Sequence, residues 1–150
     1  MRTIITVGVA IAALSSVSVA VARDDNARFP VKEAIAKGQT TKDKLDPEIP
    51  LYFGKQKTPA VVKKMGEYTA GRKTNAANKS DKEACEIAFV SAAIGLQQRA
   101  RREGGNAVVN IKSINKNENL ESESEYLCGA GTFMAGVSLQ GTMVTLKKGK

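Results

Sequence analysis

Ser80-Asp81-Lys82-Glu83 opens the one element that every fold of this chain must accommodate. The Ser80 hydroxyl can accept the Glu83 amide while the Glu83 side chain reaches back, a capping box. No proline follows until the pattern stops at Gly104-Gly105, so a single helix is expected from Ser80 to about Glu103. Arg99, Arg101 and Arg102 fall in its last turns, where cations oppose the negative helix end; a binding role is the alternative. At about 3.6 residues per turn, Cys85, Ala88, Phe89, Ala92, Ala93, Leu96 and Ala100 share one face. Most are small, which lets a helix lie close on a sheet. Ile87, Val90 and Ile94 fall on the opposite side. A helix with two apolar sides is either covered twice or carries an interaction surface. The second cover would be a short helix at Pro30–Gly38, through Val31 and Ile35; the interaction patch would be Ile87, Val90 and Ile94 with Arg101 beside it.

Strand signals flank this helix. Pro50–Gly54 has aromatic strand formers between turn residues, and Val61–Ala70 reads as a second strand. Asn106–Ile114 alternates Ala107, Val109 and Ile111 toward one face. Tyr126–Lys147 is strand-like but too long for one straight strand, and Gly129, Gly131, Gly136 and Gly141 mark bends or bulges. Leu127, Phe133, Ala135, Val137, Leu139 and Met143 fit one face there if the registry survives. Arg23–Arg28 is expected to fray, Thr40–Pro47 to connect, and Gly71–Lys79 and Lys116–Glu125 to be polar loops. The expected class is α+β: a small, mainly antiparallel sheet of three to five strands with one long helix on one face, plus the short N-terminal helix.

The first 22 residues have a different character. Arg2, an apolar run from Ile4 to Val21 and a small-x-small end at Ala20–Ala22 describe a secretory signal peptide, cleaved between Ala22 and Arg23. The run contains Thr6, Gly8, Ser15, Ser16 and Ser18, which is weak for a retained spanning helix of about 20 residues. The expected organisation is a leader over 1–22, an N-terminal extension with a short helix over 23–49, an α+β domain over 50–146 and a basic tail over 147–150. The expected compartment is the periplasm or beyond, with no membrane span after processing.

That compartment bears on the two cysteines. The helix descends from Ser80, the strand from Asn106 returns, and the next loop brings Tyr126 back near the helix start, so Cys128 comes close to Cys85. In an oxidising environment such a pair is expected to form a structural disulfide. Two buried thiols or a redox pair are the alternatives; no Cys-x-x-Cys spacing is present.

The formal charge of +8 favours anionic partners, or serves solubility alone. There is no histidine. That excludes Ser-His-Asp and Cys-His nucleophile systems, and with two cysteines it excludes an ordinary zinc site. Gly129–Gly136 lacks the dinucleotide spacing, no P-loop occurs, and Glu118–Glu125 lacks the calcium-loop pattern. Lys55, Lys57, Lys63 and Lys64 lie near Tyr52, Phe53 and Tyr68, yet an exported chain with seven aromatics is not expected to bind nucleic acid. Asn78-Lys79-Ser80 matches a glycosylation acceptor, meaningful only in a eukaryotic secretory route. No catalytic residues, cofactor or metal are expected.

Met65-Gly66-Glu67-Tyr68-Thr69, the helix, Gly104–Ile111, Tyr126–Gly131 and Gly136–Gly141 together resemble small exported bacterial proteins that often carry the label "excinuclease ATPase subunit". That label implies DNA-repair ATP chemistry, which a chain without a P-loop or zinc cysteines does not support. More distantly, the Gly-Glu, helix, Gly-x-Asn-Ala-Val and terminal strand pattern is similar to the Rcs-pathway outer-membrane stress-sensor lipoprotein. That resemblance implies a small α+β domain with disulfides that signals through protein contacts, although the lipid-bearing cysteine is missing. The expected function is therefore a non-enzymatic periplasmic protein that binds an envelope protein or an anionic envelope component. The alternatives are a secreted small-ligand-binding protein, or a hydrolase with a Lys or carboxylate base in a cleft.

Overall fold

The computed structural model describes residues 24–40, 44–116 and 118–149. The expected leader and its Ala22/Arg23 cleavage position lie outside the described residues. Nine elements follow in order: β1 (Asp24–Pro30), α1 (Val31–Thr40), β2 (Leu51–Phe53), β3 (Val61–Asn75), α2 (Asp81–Arg102), β4 (Ala107–Asn115), β5 (Glu118–Leu120), β6 (Glu125–Gly131) and β7 (Met134–Leu146). The class is α+β. The sheet is mixed, curled and larger than expected, with seven strands in the order β1-β6-β7-β4-β2, β3 on β7 and β5 on β4. Only β2 and β4 run parallel; the other pairs are antiparallel.

The extra strands have physical reasons. Arg23–Arg28 was expected to fray, but 24–30 forms β1, paired from Asp24↔Gly131 to Pro30↔Glu125. Backbone pairing satisfies its polar residues, and only Ala27 and Phe29, at alternate positions, pack on the core, an alternation too short to announce a strand. Backbone pairing also carries Gly71–Asn75, an expected loop that continues β3 along β7 as far as Asn75↔Met134. The Glu-rich loop contains β5, which pairs with the end of β4. The long C-terminal run is a hairpin, β6 then β7, closing at Thr132–Phe133. Phe133 was expected on the core face; it sits in the turn and is 72% exposed. In β6 the residues turned to the helix are Tyr126, Cys128 and Ala130, and Leu127 is buried outside that cluster.

β7 is the central strand. β3 runs along the whole of one edge. On the other edge β6 pairs only at Gly129↔Gly136 and Ala130↔Ala135, and β4 takes over from Leu139 to Val144. Where β6 leaves the ladder, the buried Ser113 hydroxyl accepts the Leu127 amide at 3.0 Å. A buried amide without that partner would cost about 1–3 kcal/mol.

α2 is capped as its sequence requires: Ser80 Oγ accepts the Glu83 amide at 3.1 Å, a contact of about 1 kcal/mol. It ends at Gly104, with φ of +79°. Its underside is Ala84, Cys85, Ala88, Phe89, Ala92, Ala93, Leu96 and Ala100, all buried. That face packs on β7 and β3. Phe89 meets Tyr126 at 4.4 Å and Phe53 at 5.7 Å between ring centroids. α1 lies against α2 and supplies the second cover, with Val31 buried and Ile35 partly so. Past α2, Asn106 imitates a strand residue: its carboxamide accepts the Leu146 amide at 2.7 Å and donates to the Leu146 carbonyl at 3.0 Å.

Cys85 and Cys128 form a disulfide that ties the first turn of α2 to β6, with Cα atoms 5.8 Å apart. It closes a loop spanning 43 positions, which in the chain-entropy account stabilises the fold by about 4 kcal/mol. The Cys85→Ala/Cys128→Ala double variant is expected to lose about that much in urea unfolding; an unchanged midpoint would show that the bridge contributes nothing. Close packing makes a second expectation. A Cβ on Gly105 would lie 2.6 Å from Met65 Cε and 2.7 Å from the Val144 carbonyl oxygen. Gly105→Ala is expected to cost about 1–3 kcal/mol, whereas Gly149→Ala, with nothing within 4 Å, leaves the midpoint unchanged.

Candidate functional site

Alternation along β3 turns Tyr68, Ala70 and Arg72 toward α2, where Gly95, Arg99 and Arg102 follow one another at helical spacing. Gly95 is what admits Arg72. A Cβ there would stand 2.9 Å from Arg72 Nη2 and 3.2 Å from Ala70 Cβ. Together with Thr69 and Leu96 these residues line a recess of about 150 Å³. Its lining carries three guanidinium groups and no carboxylate.

The three arginines are held differently. Arg99 lies over the Tyr68 ring, its Cζ 3.7 Å from the centroid, and its Nε is ion-paired with Glu103 Oε1 at 3.0 Å. The Tyr68 hydroxyl donates to the same carboxylate at 3.3 Å. This cation–π contact holds the guanidinium over the ring. Arg72 donates from Nη1 to its neighbour's carbonyl, Gly71, at 2.8 Å. Arg102 is exposed and makes no ion pair among the described residues. Planar forks such as these match carboxylate and phosphate oxygens.

The recess opens beside a second feature, the outer edge of β3. Among the described residues no strand pairs with that edge. Of its 15 residues only Ala70 is buried. Lys63, Lys64, Arg72 and Lys73 stand along it against the single carboxylate of Glu67.

A larger cleft lies elsewhere. About 720 Å³ opens between α1 and the segment 45–53, with Val31, Ile35, Leu45, Ile49 and Phe53 as its apolar wall. Gln97 closes the floor. Its Oε1 accepts the Asp46 amide at 2.9 Å, and its Nε2 donates to the Asp46 and Ile49 carbonyls at 3.0 and 2.8 Å. These bonds fasten the segment to α2.

The stripe singled out on α2 is divided by the fold. Val90 is buried, and a Cβ on Gly38 of α1 would stand 3.0 Å from its Cγ2. Ile87 and Ile94 are half-buried, and Ile94 packs on the core. Arg101 does not stand beside them as an open cation: it is bound to Asp46 and, at 3.2 Å, to Glu48. Gly129 and Gly136 face each other across β6 and β7, and a strand rather than a helix follows them. Among the described residues no group of three or more potential ligands could hold a metal ion, and no helix is long and apolar enough to cross a membrane.

Sequence reasoning missed the recess. Arg99 and Arg102 were visible as last-turn cations, but their convergence with Tyr68 and Arg72 depends on how β3 passes under α2. No protein-family model matches the chain, and no curated protein matches it.

The Arg101 contacts generate a pH expectation. The Arg101 hydrogen bond, and then the Glu48 amide, hold the Asp46 carboxyl below its ordinary value of 3.8. A carboxyl depressed by folding contributes stability above its unfolded value, lost as pH falls through the folded one. Asp46→Asn is therefore expected to cost up to about 1 kcal/mol near neutral pH. In urea titrations the difference from wild type closes below pH 3.8, and a difference independent of pH would refute the assignment.

Proposed function

We propose that this chain is an exported, non-enzymatic binding module of the cell envelope, and that it recognises an anionic partner at the arginine recess. One observation carries the reading: Arg72 and Arg102 converge with the Glu103-paired Arg99 on a recess whose own lining has no carboxylate. Three guanidinium groups against the one carboxylate of Glu103 leave a net positive concavity that an anionic partner stabilises, and bidentate guanidinium geometry favours carboxylate or phosphate oxygens. The signal-like leader favours a partner outside the cytoplasm. A role in contact-based signalling, which the distant resemblance implies, is compatible with such a site.

A second reading is favoured by the apolar cleft of about 720 Å³ between α1 and the segment 45–53. A space of that size and lining suits a small hydrophobic ligand. The two readings separate by location, because the recess and the cleft share no lining residue.

The test is a photo-crosslinker, p-benzoylphenylalanine, in place of Thr69, which lines the recess without a charge, in cells that make the protein natively. The expected result is a shortened protein in the envelope fraction with one dominant adduct. That adduct should fall at least about tenfold when Arg72 is also changed to Glu, as for a charge pair worth about 1.4 kcal/mol. An unprocessed protein in the cytosol, or no adduct at all, would overturn the proposal. Adducts from Ile35 alone would favour the cleft reading.

A further inference from the structure

We infer that the free edge of β3 accepts an extended, acidic segment of a partner protein as an added strand, whose alternate carboxylates enter the arginine recess. The inference rests on the binding-module reading above and names its partner.

The edge is in two parts. From Val61 to Gly66 the register against β7 breaks twice, at Val61/Lys63 and Lys64/Gly66, and Gly66 has φ of +120°. Bulges and lysines of this kind are how proteins blunt an open edge. From Glu67↔Thr142 to Asn75↔Met134 the ladder runs without a shift. Among the described residues no strand pairs with the outer side of that regular half, where Arg72 Nη1 takes the Gly71 carbonyl at 2.8 Å, and its length suits strand addition, with main-chain hydrogen bonds for affinity and alternate side chains for specificity. Tyr68, Ala70 and Arg72 alternate toward the recess along this same half. A strand laid beside them has every second side chain at the recess mouth, so carboxylates spaced two residues apart meet Arg72, Arg99 and Arg102.

Charge also selects against the commonest competitor, a second copy. In the antiparallel self-pairing that overlaps β3 completely, Lys63 stands opposite Lys73, and Lys64 opposite Arg72. Like charges directly opposed across strands are destabilising. The edge therefore disfavours itself in its longest register and favours an acidic strand.

The probe is a nine-residue peptide of alternating glutamate and valine. The control has the same sequence with all of its backbone amides N-methylated, which keeps the charge and removes the donors. Binding to residues 23–150 is measured by calorimetry at low salt, and amide hydrogen exchange locates it. The unmodified peptide is expected to bind at least about tenfold more tightly than the control. It should slow exchange in Glu67–Asn75, and Arg72→Glu and Arg102→Glu should each weaken it by about tenfold. Equal binding of both peptides, or protection elsewhere, would overturn strand addition and leave a polyanion site, whether for glycan or lipid headgroup. If neither peptide binds while the Thr69 adduct persists in cells, the edge inference falls and the module reading stands. If the adduct is also missing, both fall.

Discussion

The approach of α2 to the sheet decides what the rest of this molecule can do. Ala84, Ala88, Ala92, Ala93 and Ala100 turn methyl groups rather than longer side chains to β7 and β3. Gly95 removes even that, so that Arg72 and Ala70 of β3 come within a Cβ radius of the helix. Gly105 does the same at the exit, against Met65 and Val144. Packing this close leaves little apolar surface per residue to bury, and apolar burial is the main favourable term in folding. The larger side chains gathered at the other end, Phe89, Tyr126 and Phe53, supply part of the balance. The disulfide fixes the same end of the helix to β6 by constraint on the unfolded chain instead of by contact area.

How much of this could be read beforehand follows from the kind of force at work. The cap at Ser80, the stop at Gly104 and the buried stripe of α2 are local, and local chemistry specifies them. The Cys85–Cys128 pair was legible because a helix followed by two returning strands places its ends in only a few ways. β1 was invisible. Its polar residues bury little, its apolar Ala27 and Phe29 alternate over too short a span to announce a strand, and β6 supplies the backbone partners along an edge. The continuation of β3 through Gly71–Asn75 was hidden because backbone pairing with β7 carries it. Phe133 misled because alternation was carried through a turn that the glycines of β6 and β7 only hinted at.

The two ends of α2 show how one stripe can serve different purposes. Near its middle, Val90 is core because α1 passes over it at Gly38. Hydrophobic pattern alone could not separate a second cover from a surface, since both require apolar residues on the same face. Arg101 looked like part of that surface, yet Asp46 and Glu48 engage it from the connector, and Gln97 holds the same connector through three hydrogen bonds. Those contacts are tertiary, and nothing in the helix sequence announces them.

Helix-end electrostatics cannot account for the recess on its own. All three arginines of the last turn are placed to oppose the negative end of α2. Their pairing is unequal. Arg101 has two carboxylates, Arg99 shares one with the Tyr68 hydroxyl, and Arg102 has no ion pair among the described residues. Stabilising the helix end also does not require Arg72, which comes from β3 and is admitted only because position 95 is glycine. A fold selected for stability alone gains little from turning a fourth cation toward that end, where like charges repel. The imbalance is local and faces an open strand edge. A partner that brings carboxylates together with strand-forming backbone answers both deficits at once.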